Sequence, residues 1–152
     1  MITLEIIDIS DASILKNMQE KAFSQLLEKY KDYDTSPVCE SLERISEKIS
    51  TFDFYYIKSG QTIVGAIRIV NKGCSCRLSP VFIMPMYRGR GYASQAMKTA
   101  EELYPDIHVW ELDTIMQEEY LVKLYKKSGY VLTGESYDIK PGMTIVYMKK
   151  II

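Results

Sequence analysis

Residues 75–93 run from a strand-like segment through a proline into a glycine-rich loop and on to a helix, and few folds accommodate that succession. The segment SCRLSPVFIM (75–84) reads as a strand, with Pro80 removing one ladder donor and so predicting irregularity in its middle. Pro85 stops the strand, and Arg88, Gly89, Arg90 and Gly91 form the loop. A helix opens at about Ala93, with Ala93, Ala96, Met97, Ala100, Leu103 and Tyr104 as its apolar stripe, and Pro105 ends it. Glycines at 89 and 91 let the backbone turn tightly and let a ligand approach closely. The first free N–H groups of the helix, reinforced by its dipole, make an anion site to which Arg88 and Arg90 add two cationic donors. A phosphate or pyrophosphate is the natural guest.

Two common phosphate-binding patterns do not fit. A Walker loop requires Lys followed by Ser or Thr after its second glycine, and Gly91 is followed by Tyr92. A dinucleotide fingerprint requires G-x-G-x-x-G, whereas Gly89, Gly91 and Ser94 give G-x-G-x-x-S in mid-chain rather than at a first strand-to-helix turn.

Around this loop the chain alternates strand and helix signals. Residues 2–9 read as a strand, followed by a helix carrying Leu15, Met18, Ala22, Leu26 and Tyr30 at spacings of three and four, with Ser10 or Asp11 as its N-cap. Ser36 and Pro37 fit the cap and first position of a shorter helix with Leu42, Ile45 and Ile49 on one face. Residues 52–58 and 62–70 predict a hairpin about the Ser59-Gly60 turn. Beyond the loop helix, 107–113 read as a strand and 117–127 as a helix with Gly129 as its C′ residue. Strands near 130–138 and 143–150 follow. The order β-α-α-β-β-β-α-β-α-β-β predicts a mixed α/β (α+β) domain. Its mostly antiparallel sheet would have about six to seven strands, flanked by about four helices.

With 152 residues and no repeat or linker, residues 1–152 read as a single domain. The formal net charge of −1 argues against a generally basic nucleic-acid binder. That total hides a pattern. Residues 1–53 carry net −5, residues 54–100 hold 7 basic and no acidic side chains, and residues 101–152 carry net −3. A carboxylate-free middle suits the reception of a polyanion, with flanks that tolerate a cation. Cys39, Cys74 and Cys76 form no disulfide framework and fit a reduced compartment, with Cys74 and Cys76 on one face of their strand. His108 is the only histidine, so no metal site is expected. No signal peptide or membrane-spanning run is visible, and a cytoplasmic location is expected.

The residues Ile83 to Ala93, IMPMYRGRGYA, resemble the acyl-CoA-binding motif of the GNAT N-acetyltransferase superfamily, V-x-P-x-[YF]-[QR]-G-x-G-[IY]-[GA]. Downstream, Leu124 to Tyr130, LYKKSGY, is similar to that family's L-Y-x-x-x-G-[FY]. The resemblance implies the GNAT fold over nearly the whole chain and acetyl-CoA as co-substrate. It also implies that backbone amides of Arg88, Gly89, Arg90, Gly91, Tyr92, Ala93 and Ser94 hold the pyrophosphate. By the same resemblance the motif strand splays from its neighbour and the pantetheine arm pairs with backbone around Val81, Phe82 and Ile83. The Ile83 amide would be the oxyanion donor and Tyr125 the acid that protonates the departing thiolate. One departure stands out: Glu118 and Leu121 occupy places where many members have Asn and Ala. Glu118 is therefore expected as a site residue that faces the acceptor amine rather than the pantetheine.

An alkylamine is protonated at neutral pH, so a carboxylate or ordered water must take its proton before attack. Glu111, Asp113 and Glu118 are the candidates, ahead of His108, and the sequence does not choose among them. Tyr30, Asp32, Tyr33 and Asp34 lie where GNAT folds shape the acceptor pocket, and aromatics with carboxylates suit a cationic amine. A small-molecule primary amine is the expected acceptor. A protein or peptide amine, or a non-catalytic CoA sensor, are the alternatives. The resemblance leaves monomer or homodimer open and implies no nucleic-acid or membrane partner.

Overall fold

The structure, a computed structural model, describes residues 1–152. Its elements are β1 (Ile2–Ile6), α1 (Ala12–Tyr30), α2 (Leu42–Thr51), β2 (Asp53–Ser59), β3 (Thr62–Asn71), β4 (Cys76–Ile83), α3 (Tyr92–Leu103), β5 (Val109–Ile115), α4 (Glu119–Lys127), β6 (Val131–Lys140) and β7 (Met143–Ile151). The seven strands form one sheet in the order β1-β2-β3-β4-β5-β7-β6. Every neighbouring pair is antiparallel except β4 and β5. The predicted succession of elements is the observed one.

The boundaries moved where a polar side chain found a local backbone partner. Asp8 accepts from the Ser10 N–H at 2.9 Å and opens a 3-10 turn at Ile9–Asp11, so β1 ends at Ile6 rather than Ile9. Asp11 is the residue before α1, but its carboxylate accepts from the Tyr56 hydroxyl at 2.8 Å instead of capping the helix. Ser36 and Pro37 cap only a 3-10 turn, Pro37–Cys39. The second helix begins later, where Ser41 Oγ accepts from the Arg44 N–H at 3.1 Å. Leu42 is therefore exposed at the helix start and only Ile45 of the expected trio is fully buried. Cys74 lies ahead of β4 and is exposed, while Cys76 on the strand is buried; all three cysteines are free.

The two faces of the sheet carry separate apolar clusters. Ile57, Ile67, Ile69, Leu78, Trp110 and Leu112 pack with Ala96, Met97 and Ala100 of α3 and Tyr125 of α4. On the opposite face, Phe54, Tyr56, Ala66 and Phe82 pack with Leu15, Met18 and Ala22 of α1 and Ile45 of α2. Strand alternation divides these sets, because successive side chains point to opposite faces. No helix is long and apolar enough to cross a membrane.

Two features of β4 prepare the site. Its register against β3 shifts between Ile67 and Ile69, where Ser79 and Pro80 on β4 are left without Cα partners. This is the irregularity that Pro80 predicted, since a proline cannot serve a regular central ladder. Toward β5 the strand is paired only at Cys76 with Trp110 and Arg77 with Glu111. Beyond those pairs the two strands part.

Candidate active site

The parting of β4 and β5 opens a cavity of about 1090 Å³ between the sheet, α1, α4 and the loop before α3. It is bounded on one side by Leu78–Ile83 and on the other by Leu112–Ile115. The register of β4 aims its polar backbone here. Met84 N–H bonds to Val64 O at 2.7 Å, and Ala66 faces Phe82 two residues on, so these are the hydrogen-bonded pairs with β3. Val81 and Ile83 occupy the alternate places and turn their N–H groups toward the unpaired edge. Gly65, opposite Ile83, permits this closeness: a Cβ there would lie 2.0 Å from the Phe82 carbonyl oxygen. The sequence reading missed Gly65, which looks like any small residue in a strand.

The loop is built as its glycines suggested. Gly89 and Gly91 both adopt φ of +78°, a left-handed conformation that side chains rarely take. Gly91 is the N-cap residue of α3. No amide from Gly89 through Ser94 donates a hydrogen bond within the protein. That run of unpaired donors at a helix start fits an anionic group such as a pyrophosphate.

The arginines differ from the expectation of two cationic donors facing the ligand. Arg88 donates from Nε to the Ile83 carbonyl at 3.0 Å and from Nη2 to the Ala22 carbonyl at 2.7 Å. Its own N–H reaches the Pro85 carbonyl at 3.4 Å. Its guanidinium thus ties the loop to β4 and α1, because carbonyls exposed where β4 loses its neighbour need a donor. The Arg90 guanidinium lies 5.8 Å from the centre of the Tyr87 ring. Ser94 Oγ and Ser128 Oγ are 3.2 Å apart and join the start of α3 to the end of α4.

Of the expected site residues, Val81, Phe82, Ile83, Arg88, Gly89, Gly91, Tyr92, Ala93, Glu118 and Tyr125 all line the one cavity, while Arg90 and Ser94 stand outside its wall. Phe82 turns its ring toward α1, edge-on to Phe23 with centroids 5.3 Å apart. Tyr125 is buried among Leu121, Leu124 and the edge of Tyr130, and its hydroxyl has no protein partner. Burial pushes its pKa well above the ordinary tyrosine value, with Asp113 and Tyr120 adding to the effect.

The three carboxylates now separate. Glu111 lies outside the cavity, 3.6 Å from the Lys72 ammonium. Asp113 lines the cavity and pairs with Arg77. Burial raises the Asp113 pKa despite that cation. Glu118, buried just before α4, accepts on one oxygen from Lys29 Nζ at 2.6 Å and from the Tyr30 hydroxyl. Burial opposes its ionisation, but those two hydrogen bonds and the Lys29 charge outweigh it and hold the carboxyl below its usual range. Lys29 was invisible as a site residue in the sequence, being one of several polar residues on α1. His108 is exposed and lies before β5, away from the cavity.

The carboxylate-free middle does not remain a bare positive field. Lys58 pairs with Glu5 at 3.2 Å, Lys72 with Glu111 and Arg77 with Asp113, all across the segment boundaries. Neither Arg88 nor Arg90 of the loop forms an ion pair. No group of three or more His, Cys, Asp or Glu side chains is arranged to hold a metal ion.

A sheet that parts between two parallel strands, beside a loop of unpaired amides heading a helix, defines the class of acyl-CoA-dependent N-acyltransferases. The family model described as Acetyltransferase (GNAT) domain matches residues 15–152, and the chain belongs to that family. Among solved structures it is similar to the PaiA N-acetyltransferase of Thermoplasma acidophilum in complex with coenzyme A, with 18% identity, a TM-score of 0.78, and coverage of 100% of this chain and 99% of that one. It is also similar to the spermidine N-acetyltransferase of Vibrio cholerae in complex with CoA and spermine, with 16% identity, a TM-score of 0.75, and coverage of 99% and 95%. An acetyltransferase of the GNAT family from Streptococcus pneumoniae gives 17% identity, a TM-score of 0.74, and coverage of 100% and 99%. At these identities the likeness is one of fold. No curated protein matches the sequence.

Proposed function

We propose that this chain, read as a single GNAT domain over residues 1–152, transfers an acetyl group from acetyl-CoA to a primary amine of a small molecule. The observation that carries this reading is the meeting of the Ile83 N–H, the free Tyr125 hydroxyl and the Asp113 carboxylate on one cavity. The unpaired amides of Gly89 to Ser94 suit the pyrophosphate of the co-substrate, and the open edge at Val81 to Ile83 suits its amide-bearing arm. Acetyl-CoA supplies the activated acyl group as a thioester.

Each residue then has a task. The Ile83 N–H, on the open edge of β4, is the donor we assign to the negative charge developing on the thioester carbonyl oxygen, an interaction typically worth about 3–4 kcal/mol. Tyr125 stays protonated at neutral pH and holds a proton for the departing thiolate. Asp113 is the carboxylate best suited to take the amine's proton, because burial makes it a stronger base than an exposed aspartate. Glu118 lines the cavity with Tyr120, Tyr137 and Tyr147, and we assign these residues to its acceptor half. The named ligand of the Vibrio cholerae neighbour, spermine, supports an amine acceptor. We read the protein as cytoplasmic, a monomer or homodimer, with neither nucleic acid nor membrane as a partner.

The test is release of free thiol from acetyl-CoA across a panel of primary amines and amine-bearing peptides. Turnover with small amines but not peptides is the expected result. CoA binding without turnover on any amine would replace the enzyme with a sensor.

A further inference from the structure

The Lys29–Glu118 pair is asymmetric in a way an ordinary strut is not. The Glu118 side chain is 7% exposed and the Lys29 side chain 57% exposed. An ammonium on a flexible alkyl chain therefore reaches from solvent to a buried carboxylate. Both Lys29 Nζ and the Tyr30 hydroxyl bond to Oε2 of Glu118, while Oε1 accepts from no protein group. Glu118 lines the same cavity as Tyr125. Glu118 is the N-cap residue of α4 and Tyr125 lies on that helix, so about two turns, or about 10 Å along the axis, separate them.

The other carboxylates of the cavity are held by partners less free to leave, or are assigned to the proton transfer. Asp32 accepts on both oxygens from Thr35. Glu40 accepts from Gln19 on Oε1 and pairs with Lys48 on Oε2. Asp113 is held by Arg77, whose side chain is 24% exposed and whose guanidinium lies 5.8 Å from the Tyr147 ring centre. Only Glu118 combines a free oxygen with a partner that can leave for water. Lys29, mostly in solvent, regains its hydration on leaving, and the acceptor's own ammonium supplies the charge that the buried carboxylate requires.

We propose that Glu118 holds the second, non-reacting ammonium of a diamine-type acceptor, and that Lys29 occupies this place until the acceptor displaces it. Glu118 stays ionised, as a counter-ion should. The reacting nitrogen must be neutral, so it lies toward Ile83 and Tyr125, with the charged nitrogen about two helical turns away. Tyr30 keeps its bond to Oε2 and fixes the carboxylate through the exchange. The proposal rests on the amine-acetyltransferase reading and narrows its substrate class.

The experiment compares wild type, Lys29→Met and Glu118→Gln with 1,7-diaminoheptane, whose extended nitrogens match that separation, and n-heptylamine. It uses thiol release for KM and kcat, and calorimetric titration of the CoA-loaded protein for Kd. Lys29→Met is expected to lower KM and Kd for the diamine about three- to fivefold by removing the competitor. Glu118→Gln is expected to raise both for the diamine about tenfold, and to move them far less for the monoamine. Unchanged or weaker diamine binding in Lys29→Met overturns the exchange, and equal effects of Glu118→Gln on both amines overturn the docking role. If wild type turns over no amine, the enzymatic reading fails while the calorimetric comparison still decides the role of Glu118. Absence of diamine binding in both wild type and Lys29→Met overturns the proposal. Urea unfolding of each variant checks the fold, and Lys29→Met, which keeps its aliphatic stem, carries the test if Glu118→Gln does not fold.

Discussion

The Arg88 guanidinium donates from Nε to the Ile83 carbonyl oxygen at 3.0 Å, so the loop that follows β4 is bonded back to the last residue of that strand. The same guanidinium reaches the Ala22 carbonyl of α1 at 2.7 Å. One side chain thereby ties together the glycine loop, the end of β4 and α1. Arg88→Ala is expected to cost about 1–3 kcal/mol by leaving the Ile83 carbonyl unpaired. CoA affinity should fall with it, as the loop loses its anchor. Denaturant unfolding and CoA titration measure the two effects, and full stability with intact affinity would reject the tie.

Tyr125 has a buried ring and a hydroxyl without a protein partner. Tyr125→Phe keeps the ring and its packing. It should lower kcat about 10²-fold or more and leave CoA affinity nearly unchanged. Steady-state kinetics beside direct CoA titration check this. An unchanged kcat would remove Tyr125 from proton transfer.

Asp113 must be ionised to accept a proton. Its pKa is raised by burial, partly offset by Arg77, so its protonation begins at higher pH than for an ordinary aspartate at about 3.9. Activity should therefore fall on the acid side as the pH drops through that raised value. Asp113→Asn should lower kcat/KM about 10²-fold at neutral pH and flatten the acid limb. A weakly basic arylamine acceptor separates this titration from that of the amine.

Gly65 lies against the backbone of β4, with a Cβ position only 2.0 Å from the Phe82 oxygen. Gly65→Ala must push β3 and β4 apart beside Ile83. A loss of about 1–3 kcal/mol is expected from overpacking. Because the displaced residue precedes Ile83, the proposed oxyanion donor, kcat should fall as well. Thermal unfolding and kcat of the same variant report both.

Local periodicity accounts for how much of the fold was readable. The alternation of β2, β3 and β4, the helical spacing of α1 and α3 and the glycines at 89 and 91 each act within a few residues, so they announce the element order and the anion loop. The boundaries at Ile6 and Leu42 escaped because Asp8, Ser36 and Ser41 each offered a local cap, and periodicity does not rank competing caps. The site divides in the same way. Tyr125 and Ile83 were legible through motifs that are contiguous in the chain. The Lys29–Glu118 pair spans 89 residues, and the Arg88–Ala22 bond spans 66. Whether a cation faces a ligand, a carbonyl or a carboxylate depends on which elements the sheet order and helix packing bring alongside it, and no local pattern encodes that. The residues near in sequence thus form the glycine loop, while the cavity walls from α1, β5 and α4 come together only when the chain packs.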